Sequence, residues 1–332
     1  MDSLMNRRRF HAHAGAIVLC STFARGLRAQ PRPEMLRILC GYPAGGPVDL
    51  VCRTLAERLG AAGSAPRALV ENKPGAAGRL AVEELRRAGA DGSALLVTPA
   101  SVVTMYPHVY RQLSYDPFTD LAPVGAVAAT GFALALGPRL DANVQTVDDF
   151  ARWCGAHPAQ AQCANAGAGS MPHFMALLLE RELRVPITHV PYRGGQLAMQ
   201  AAASGEVAAA IATEAAARTL VQSGRLRVVA TSGAERSPFF AQAATFREQG
   251  FAPLTQREWF GAFMPARTPA TTVQTMADAL RAALAGPEVR DAWERIGLLV
   301  ESSTPAELAA AMRSEHRFWG PLIKASGFTP ES

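Results

Sequence analysis

Three stretches of this chain combine residue types and spacings that could do chemistry: "YPAGGPVD" (42–49), "NAGAGSMPHF" (165–174) and "PYRGGQ" (191–196). Each puts glycines where an apolar run gives way to a helical pattern. In the first, Gly45 and Gly46 permit a close approach to the backbone, and Pro47 suits the first helical turn. Amides at such a turn carry partial positive charge and face outward, which makes a seat for an anion. In the second, Gly167 and Gly169 open the backbone, and Ser170 can cap the helix while offering a hydroxyl. In the third, Gly194 and Gly195 precede "QLAMQAAAS". A fourth junction, "ATEAA" (212–216), sets Thr213 at a strand end and Glu214 at a helix start. Glu214 favours the helix dipole and would repel a carboxylate, so it reads as structural. One glycine pair says little, because turns use glycine everywhere. Three at the same kind of junction suit a ligand whose negative charge is met by main-chain amides and hydroxyls.

The side chains around these loops carry more than one reading. Asp49 can cap its turn and pair with Arg53 four residues on, or orient a ligand or a bridging water. His173 is a packed structural histidine, a ligand contact or a base; Arg193 complements an anion or makes a surface or inter-lobe salt bridge; Tyr192 is a packing ring or a ligand platform. Nucleophilic catalysis is poorly served. Ser170 and His173 would share one turn of a helix with no third group to orient the base. The nucleophile elbow GxSxG is absent, "GAGS" has no following GK[ST], and "GYPAGG" does not match GxGxxG. There is no CxxC or HExxH and the histidines are scattered. The expectation is a protein with no catalytic residues, no metal and no cofactor.

The elements that must position these loops follow from hydrophobic patterning. Apolar runs of strand length occur at "LRILC" (36–40), "ALVE" (68–71), "ALLVT" (94–98), "FALAL" (132–136), "ITHV" (187–190), "VAAAIAT" (207–213) and "LRVVAT" (226–231). Helical spacing falls between most of them: Val48, Val51, Leu55 and Leu59 follow the first loop. Thr146 with Asp149 three residues later resembles a capping box. Further helices are expected near 172–184, 195–204, 270–284, 287–296 and 305–325. Near-continuous apolar strands alternating with helices specify an α/β fold with mostly parallel sheets covered on both faces. Ligands of such sheets bind beyond the carboxyl ends of the strands, where the glycine-rich loops fall.

Composition narrows the class. The chain has 332 residues, 49% hydrophobic and 18% charged, which is globular. Its formal charge of +5 is concentrated at the start, where Arg7, Arg8, Arg9, Arg25 and Arg28 face only Asp2. Beyond residue 29 there are 28 basic and 27 acidic residues, with no basic cluster of the kind nucleic acid requires. Residues 1–29 read as a cleaved export signal: a basic start, a short apolar middle and Ala29 at the end. The paired arginines before Phe10 resemble a twin-arginine signal, with the general secretory route as the alternative. Export to the periplasm would permit disulfides between Cys154 and Cys163 or Cys40 and Cys52, with buried free thiols the favoured state.

Several stretches together carry a family resemblance: "YPAGGPVDLVCRTLAERL", "VENKPGAAG", "ADGSALLV", "VYRQLSYDPFTDLAPV", "GAGSMPHF", "HVPYRGG", "SGEV", "WFGAFMPARTP" and "STPAEL". In this order and spacing the chain resembles the Bug extracytoplasmic solute receptors, the substrate-binding components of tripartite tricarboxylate transporters, from about residue 36 to 327. The resemblance implies a two-lobed periplasmic binding fold of type II with a ligand cleft between lobes. Lobe one would take residues 30–134 plus 257–332 and lobe two 135–256, with crossings near 132–138 and 253–262. It implies a small carboxylate or dicarboxylate held by Tyr42, Ala44, Gly45, Gly46 and Asp49, with Thr98 and Ser101 of "TPAS" beside them. From lobe two it implies Ala166, Gly167, Gly169, Ser170, Gly194, Gly195 and Thr213. The implied partners are the small carboxylate and the membrane subunits of such a transporter; nucleic acid is not among them, and a monomer is expected. This sequence departs from the family in having Tyr42 and Ala44 where Phe and Pro are usual, and alanines at 164, 166 and 168. A less polar pocket would suit an aromatic or branched carboxylate. A ligand sensor without a transport role, or a secreted hydrolase, are the alternative functions.

Overall fold

The central apolar runs of this chain become strands that are buried on both faces, while those at 68–71 and 187–190 lie on sheet edges and stay partly exposed. The computed structural model describes residues 35–61 and 67–329, so the export segment expected at 1–29 lies outside the described residues. Among these, strand β1 (Leu36–Cys40) lies between β2 (Ala68–Asn72) and β3 (Ala94–Pro99), parallel to both. Leu36, Ile38 and Cys40 face helix α1 (Pro47–Ala61) through Val51, Leu55 and Leu59. Leu39 points the other way, into the cluster that holds Val82 and Leu85 of α2 (Arg79–Arg87). That double burial is why the run reads as continuously apolar.

Two long strands complete the first sheet. β4 (Leu121–Thr130) and β10 (Glu258–Pro265) pair antiparallel, and the short β11 (Leu299–Val300) adds the edge, giving the order β11-β4-β10-β3-β1-β2. The second sheet is β7-β6-β8-β5-β9, built from β5 (Phe132–Leu136), β6 (Gln162–Asn165), β7 (Thr188–Pro191), β8 (Ala209–Thr213) and β9 (Arg227–Thr231). The α/β class holds, but the sheets are mixed, where the apolar runs alone imply mostly parallel pairing. The cause is the crossing of the chain: β5 and β10 both start at the edge where they enter their sheet and so run against their neighbours. β4 ends at Thr130 and β5 begins at Phe132, so the sheets hand over at Gly131, just ahead of the 134/135 boundary expected from the sequence.

The helices α3 (Ala100–Thr104), α4 (Tyr106–Val109), α9 (Ala270–Leu284), α10 (Pro287–Arg295) and α11 (Pro305–Ala325) accompany the first sheet. The helices α5 (Val147–Ala156), α6 (Met171–Leu183), α7 (Gly195–Ala203) and α8 (Glu214–Gln222) accompany the second. One face of the second sheet is nearly all alanine (Ala133, Ala135, Ala164, Ala210, Ala212), which lets α7 lie close. At Gly137 a Cβ would strike the Ala202 carbonyl of that helix, so only glycine fits there.

Thr146 and Asp149 form a complete capping box at the start of α5: Asp149 N donates to Thr146 Oγ1 at 3.0 Å, and Thr146 N to Asp149 Oδ2 at 3.0 Å. Thr146→Ala is expected to lower stability by about 1 kcal/mol, read as a shift in urea midpoint at unchanged slope. Cys40, Cys52, Cys154 and Cys163 are all buried free thiols, so neither disulfide forms. Burial pushes the Cys154 and Cys163 thiols up to about 12, which leaves them unreactive. Among the described residues no helix is long and apolar enough to cross a membrane.

Candidate functional site

Strand registers put all the glycine-rich loops on two edges that meet. In the first sheet Cys40 is level with Val97, Pro99 with Phe260, and Thr130 with Glu258. The carboxyl ends of β1, β3 and β4 therefore share an edge with the start of β10. In the second sheet Asn165 is level with Pro191 and Ile211, and Phe132 with Thr213. The carboxyl ends of β6, β7 and β8 share an edge with the start of β5. Gly131 alone joins β4 to β5, so the two edges converge at that residue.

In the first loop Ala44 and Gly45 are exposed, Tyr42 and Gly46 half-buried, and Asp49 fully buried. Asp49 Oδ2 accepts from Gly45 N and Arg53 Nε, each at 2.8 Å, while Oδ1 accepts from Asn72 Nδ2 at 2.8 Å. Burial alone would raise this carboxyl. Arg53, the Gly45 amide and Asn72 outweigh that and hold it below the usual carboxylate range. The geometry supports the capping reading of Asp49: its oxygens accept from Gly45, Arg53 and Asn72, which pins the loop to strand β2.

Residues 75–78 form a second wall to this loop. Cβ atoms on Gly41 or Gly78 would meet Gly78 Cα at 2.7 Å or the Tyr42 hydroxyl at 3.2 Å, so the two loops touch backbone to backbone with the Tyr42 ring over Gly78. Ala76 (φ 47°) and Ala77 (φ 54°) are both left-handed, a strain of order 1–2 kcal/mol each. Tyr106 Oη donates to Ala77 O at 3.3 Å and Arg79 Nε to Ala76 O at 2.9 Å, which holds the conformation. In "TPAS", Thr98 and Ser101 are buried. The Thr98 hydroxyl finds no hydrogen-bond partner among the described residues, and Ser101 N donates to Glu258 Oε1 at 3.0 Å.

The second loop differs from the expectation of bare amides. Gly167 N donates to Asn165 Oδ1 (3.2 Å), Gly169 N to His173 Nδ1 (3.2 Å), and Ser170 N to Gly167 O (3.2 Å). The loop satisfies itself through an Asx turn and the imidazole. Ser170 caps α6 as expected, accepting from His173 N at 3.3 Å, and its hydroxyl donates to Gly167 O at 2.6 Å. That hydroxyl is thus not engaged with the imidazole as a nucleophile would be. Burial, then the neighbouring His189, lowers His173 to about 4, so it stays neutral and structural. Phe328, near the end of the chain, packs against His173 and Phe174 and covers Gly169.

Loops two and three are brought together at Gly195. A Cβ there would lie 3.0 Å from Ala212, 3.4 Å from Ala216 and 3.9 Å from Ala166, and one on Gly167 would lie 3.6 Å from Tyr192 O. The amides of Gly195 and Gln196 precede the hydrogen-bond ladder of α7, and Gly194 is left-handed (φ 113°). Thr213, half-buried, stands at the head of α8 with no side-chain capping bond. Tyr192 Oη donates to Glu206 at 2.7 Å, away from the loop, and Arg193 is exposed with no ion pair among the described residues. No group of three or more His, Cys, Asp or Glu side chains placed to hold a metal occurs among the described residues.

Sequence reasoning missed two carboxyls near the second crossing, Glu258 (buried) and Glu315 (half-buried), and read Glu214 as structural without its burial. Glu214 donates its amide to Gly131 O and accepts from Ser237 Oγ at 2.5 Å. Glu258 opens β10, and Glu315 of α11 accepts from Trp259 Nε1 at 2.5 Å. Burial raises all three to about 7, with Glu258's charge adding to the rise at Glu315. The one signal for Glu258 in the sequence is an acid at the head of an apolar run, "EWFGAFMP".

A family model described as the tripartite tricarboxylate transporter family receptor, TctC, matches residues 51–328. The chain is 30% identical over 302 residues to the UPF0065 protein in the gbd 5′ region of Cupriavidus necator, covering 89% of this chain and 90% of the relative. It is similar in structure to MatC from Rhodopseudomonas palustris, solved with bound malate, at TM-score 0.73 and 26% identity, with 88% of this chain and 99% of that one covered. It is also similar to the periplasmic binding protein BugD, at TM-score 0.73 and 26% identity, with 90% and 100% covered.

Proposed function

The chain belongs to the tripartite tricarboxylate transporter receptor family, and from that premise we infer that it is an exported periplasmic receptor that captures a small carboxylate between its two sheet-bearing halves. The observation that carries this reading is the convergence of the glycine-rich loops on two strand edges joined at Gly131. Malate bound to a relative of the same fold supports the ligand class.

On the first half the ligand would meet Tyr42, Ala44, Gly45, Gly46, Thr98 and Ser101, on a loop whose shape Asp49 fixes. On the second it would meet Gly194, Gly195 and Thr213. Ala166, Gly167, Gly169 and Ser170 would shape the wall, since the glycine amides there are already bonded within the loop. The halves would be 30–134 plus 257–332 and 135–256, with the first boundary moved to Gly131 so that β5 stays whole. An anion seated on one half completes its contacts only when the other approaches, so ligand shifts the population toward a closed form. The closed receptor then delivers its ligand to the membrane subunits of a tripartite transporter.

Thermal unfolding of residues 30–332 with and without lactate, benzoate, malate, adipate and citrate tests this. A true ligand at 100 times its Kd should stabilise by about 2.7 kcal/mol. A panel that leaves the transition unmoved, with an ester hydrolysed instead, would replace the receptor reading with a hydrolase.

A further inference from the structure

The first half's wall carries a carboxyl of its own. Glu258 is 9% exposed, sits level with Thr130 at the shared edge, and takes the Ser101 amide at 3.0 Å. Among the described residues it makes no ion pair: the Ser101 amide and hydroxyl are what favour its charge, and its own charge raises Glu315 of α11, on which Arg257 acts in the opposite sense. Its charge also reaches two phenols, Tyr42 of the first loop and Tyr106 of α4, whose ionisation is already suppressed by burial. On the strand next to it the Thr98 hydroxyl, 1% exposed, has no partner among the described residues. Tyr42, Thr98, Ser101 and Glu258 thus bring an acid, a phenol and two hydroxyls to one edge.

A ligand carboxylate arriving here would find the Ser101 amide taken and a like charge in its place. Juxtaposed like charges in a low-dielectric site act as a device against the wrong partner. A hydroxyl or amino group would instead find an acceptor in Glu258 and a further partner in Thr98. A dicarboxylate bridging both halves would bring its second carboxylate to this edge, whereas a monocarboxylate would leave its charge on the second half.

We propose that Glu258 is a specificity-determining residue that excludes a second carboxylate, so that the ligand is a monocarboxylate whose far end carries a hydroxyl or amino donor. This rests on the receptor reading above and deepens it.

Matched pairs differing only at the far end test it by calorimetry at pH 8: 4-hydroxybutyrate and 4-aminobutyrate against succinate, and 4-hydroxybenzoate against terephthalate. The protein should bind the donor-bearing member of at least one pair, about tenfold or more tighter than its dicarboxylate. Glu258→Gln, and Glu258→Ser as a second variant, should each shrink that preference by about tenfold, with folding checked by circular dichroism. A dicarboxylate that binds the unsubstituted protein as tightly as its partner overturns the inference and leaves the receptor reading intact. So does a preference unchanged in a folded variant. If no carboxylate binds, citrate included, the receptor reading falls and this inference with it. Should neither variant fold, the pairs on the unsubstituted protein decide.

Discussion

Asp49→Ala is expected to lower stability by roughly 1–3 kcal/mol and to remove most of the stabilisation by a bound carboxylate. The carboxylate is fully buried and satisfies three donors on two elements, Gly45 N, Arg53 Nε and Asn72 Nδ2. Truncation removes the one acceptor that ties Gly45, Arg53 and Asn72 together; Gly45 is exposed and Asn72 keeps its bond to Tyr42 O, so the loss is that of the three bonds and of the packing around a buried side chain. Asp49→Asn is expected to fail nearly as badly, because its NH2 group must face a donor on one side or the other. The effect has a definite sign with pH. The folded carboxyl lies below its unfolded value, so its stabilisation is present above about pH 4 and is lost as pH falls through the folded value. Urea unfolding at pH 7 and at pH 3 should therefore show a wider gap between variant and parent at the first than at the second. A variant with reduced stability but an undiminished ligand response would place the ligand away from the first loop.

Stability as a whole is expected to be greater near pH 5.5 than at pH 8, by an amount worth about 5 °C in Tm, because the buried carboxyls outweigh His173 and His316, whose lowered values favour the higher pH. Glu214, Glu258 and Glu315 are raised by burial to about 7. In the unfolded chain a glutamate titrates near 4.3, so between about 4.3 and 7 the folded state holds the extra protons. Stability then falls as pH rises through that window and levels off above it. One such group corresponds to roughly 3 kcal/mol, and Glu258 and Glu315 titrate as a pair, so the total is less than three independent shares. Glu214→Gln should flatten part of the profile without touching the Glu258–Glu315 pair. Identical melting temperatures at pH 5.5 and 8 would mean that these carboxyls are reached by water. The same titration charges Glu258, so the discrimination against dicarboxylates should grow from pH 6 to pH 8. Ser101 bonds Glu258, Glu258 in turn acts on Glu315, Tyr42 and Tyr106, and Arg257 adds a fixed positive charge at Glu315; of these only Glu315 titrates in that range.

Much of the fold is legible because its signals are local. The run 132–136 and the helices at 270–284 and 305–325 occur where periodicity and capping residues place them, since a helix or a buried strand advertises its own buried face. Strands β4 and β10 left no comparable mark. β4 carries Pro123 and Gly125, β10 opens on Glu258, and their pairing joins segments more than a hundred residues apart with two register shifts. Short-range pattern does not encode such a pairing.

By itself the sequence determined the α/β class, the family resemblance, the glycine-rich junctions and the capping roles of Thr146 and Ser170, because each depends on residues within one or two turns of one another. Only the tertiary structure decided that Asp49 is consumed by its own loop and that Asn165 and His173 take the glycine amides of the second. Burial of Glu214, Glu258 and Glu315 around the crossings was likewise decided there. Whether an amide or a carboxyl is free depends on what the rest of the chain brings within 3 Å of it, and that distance is set by packing rather than by neighbours in sequence.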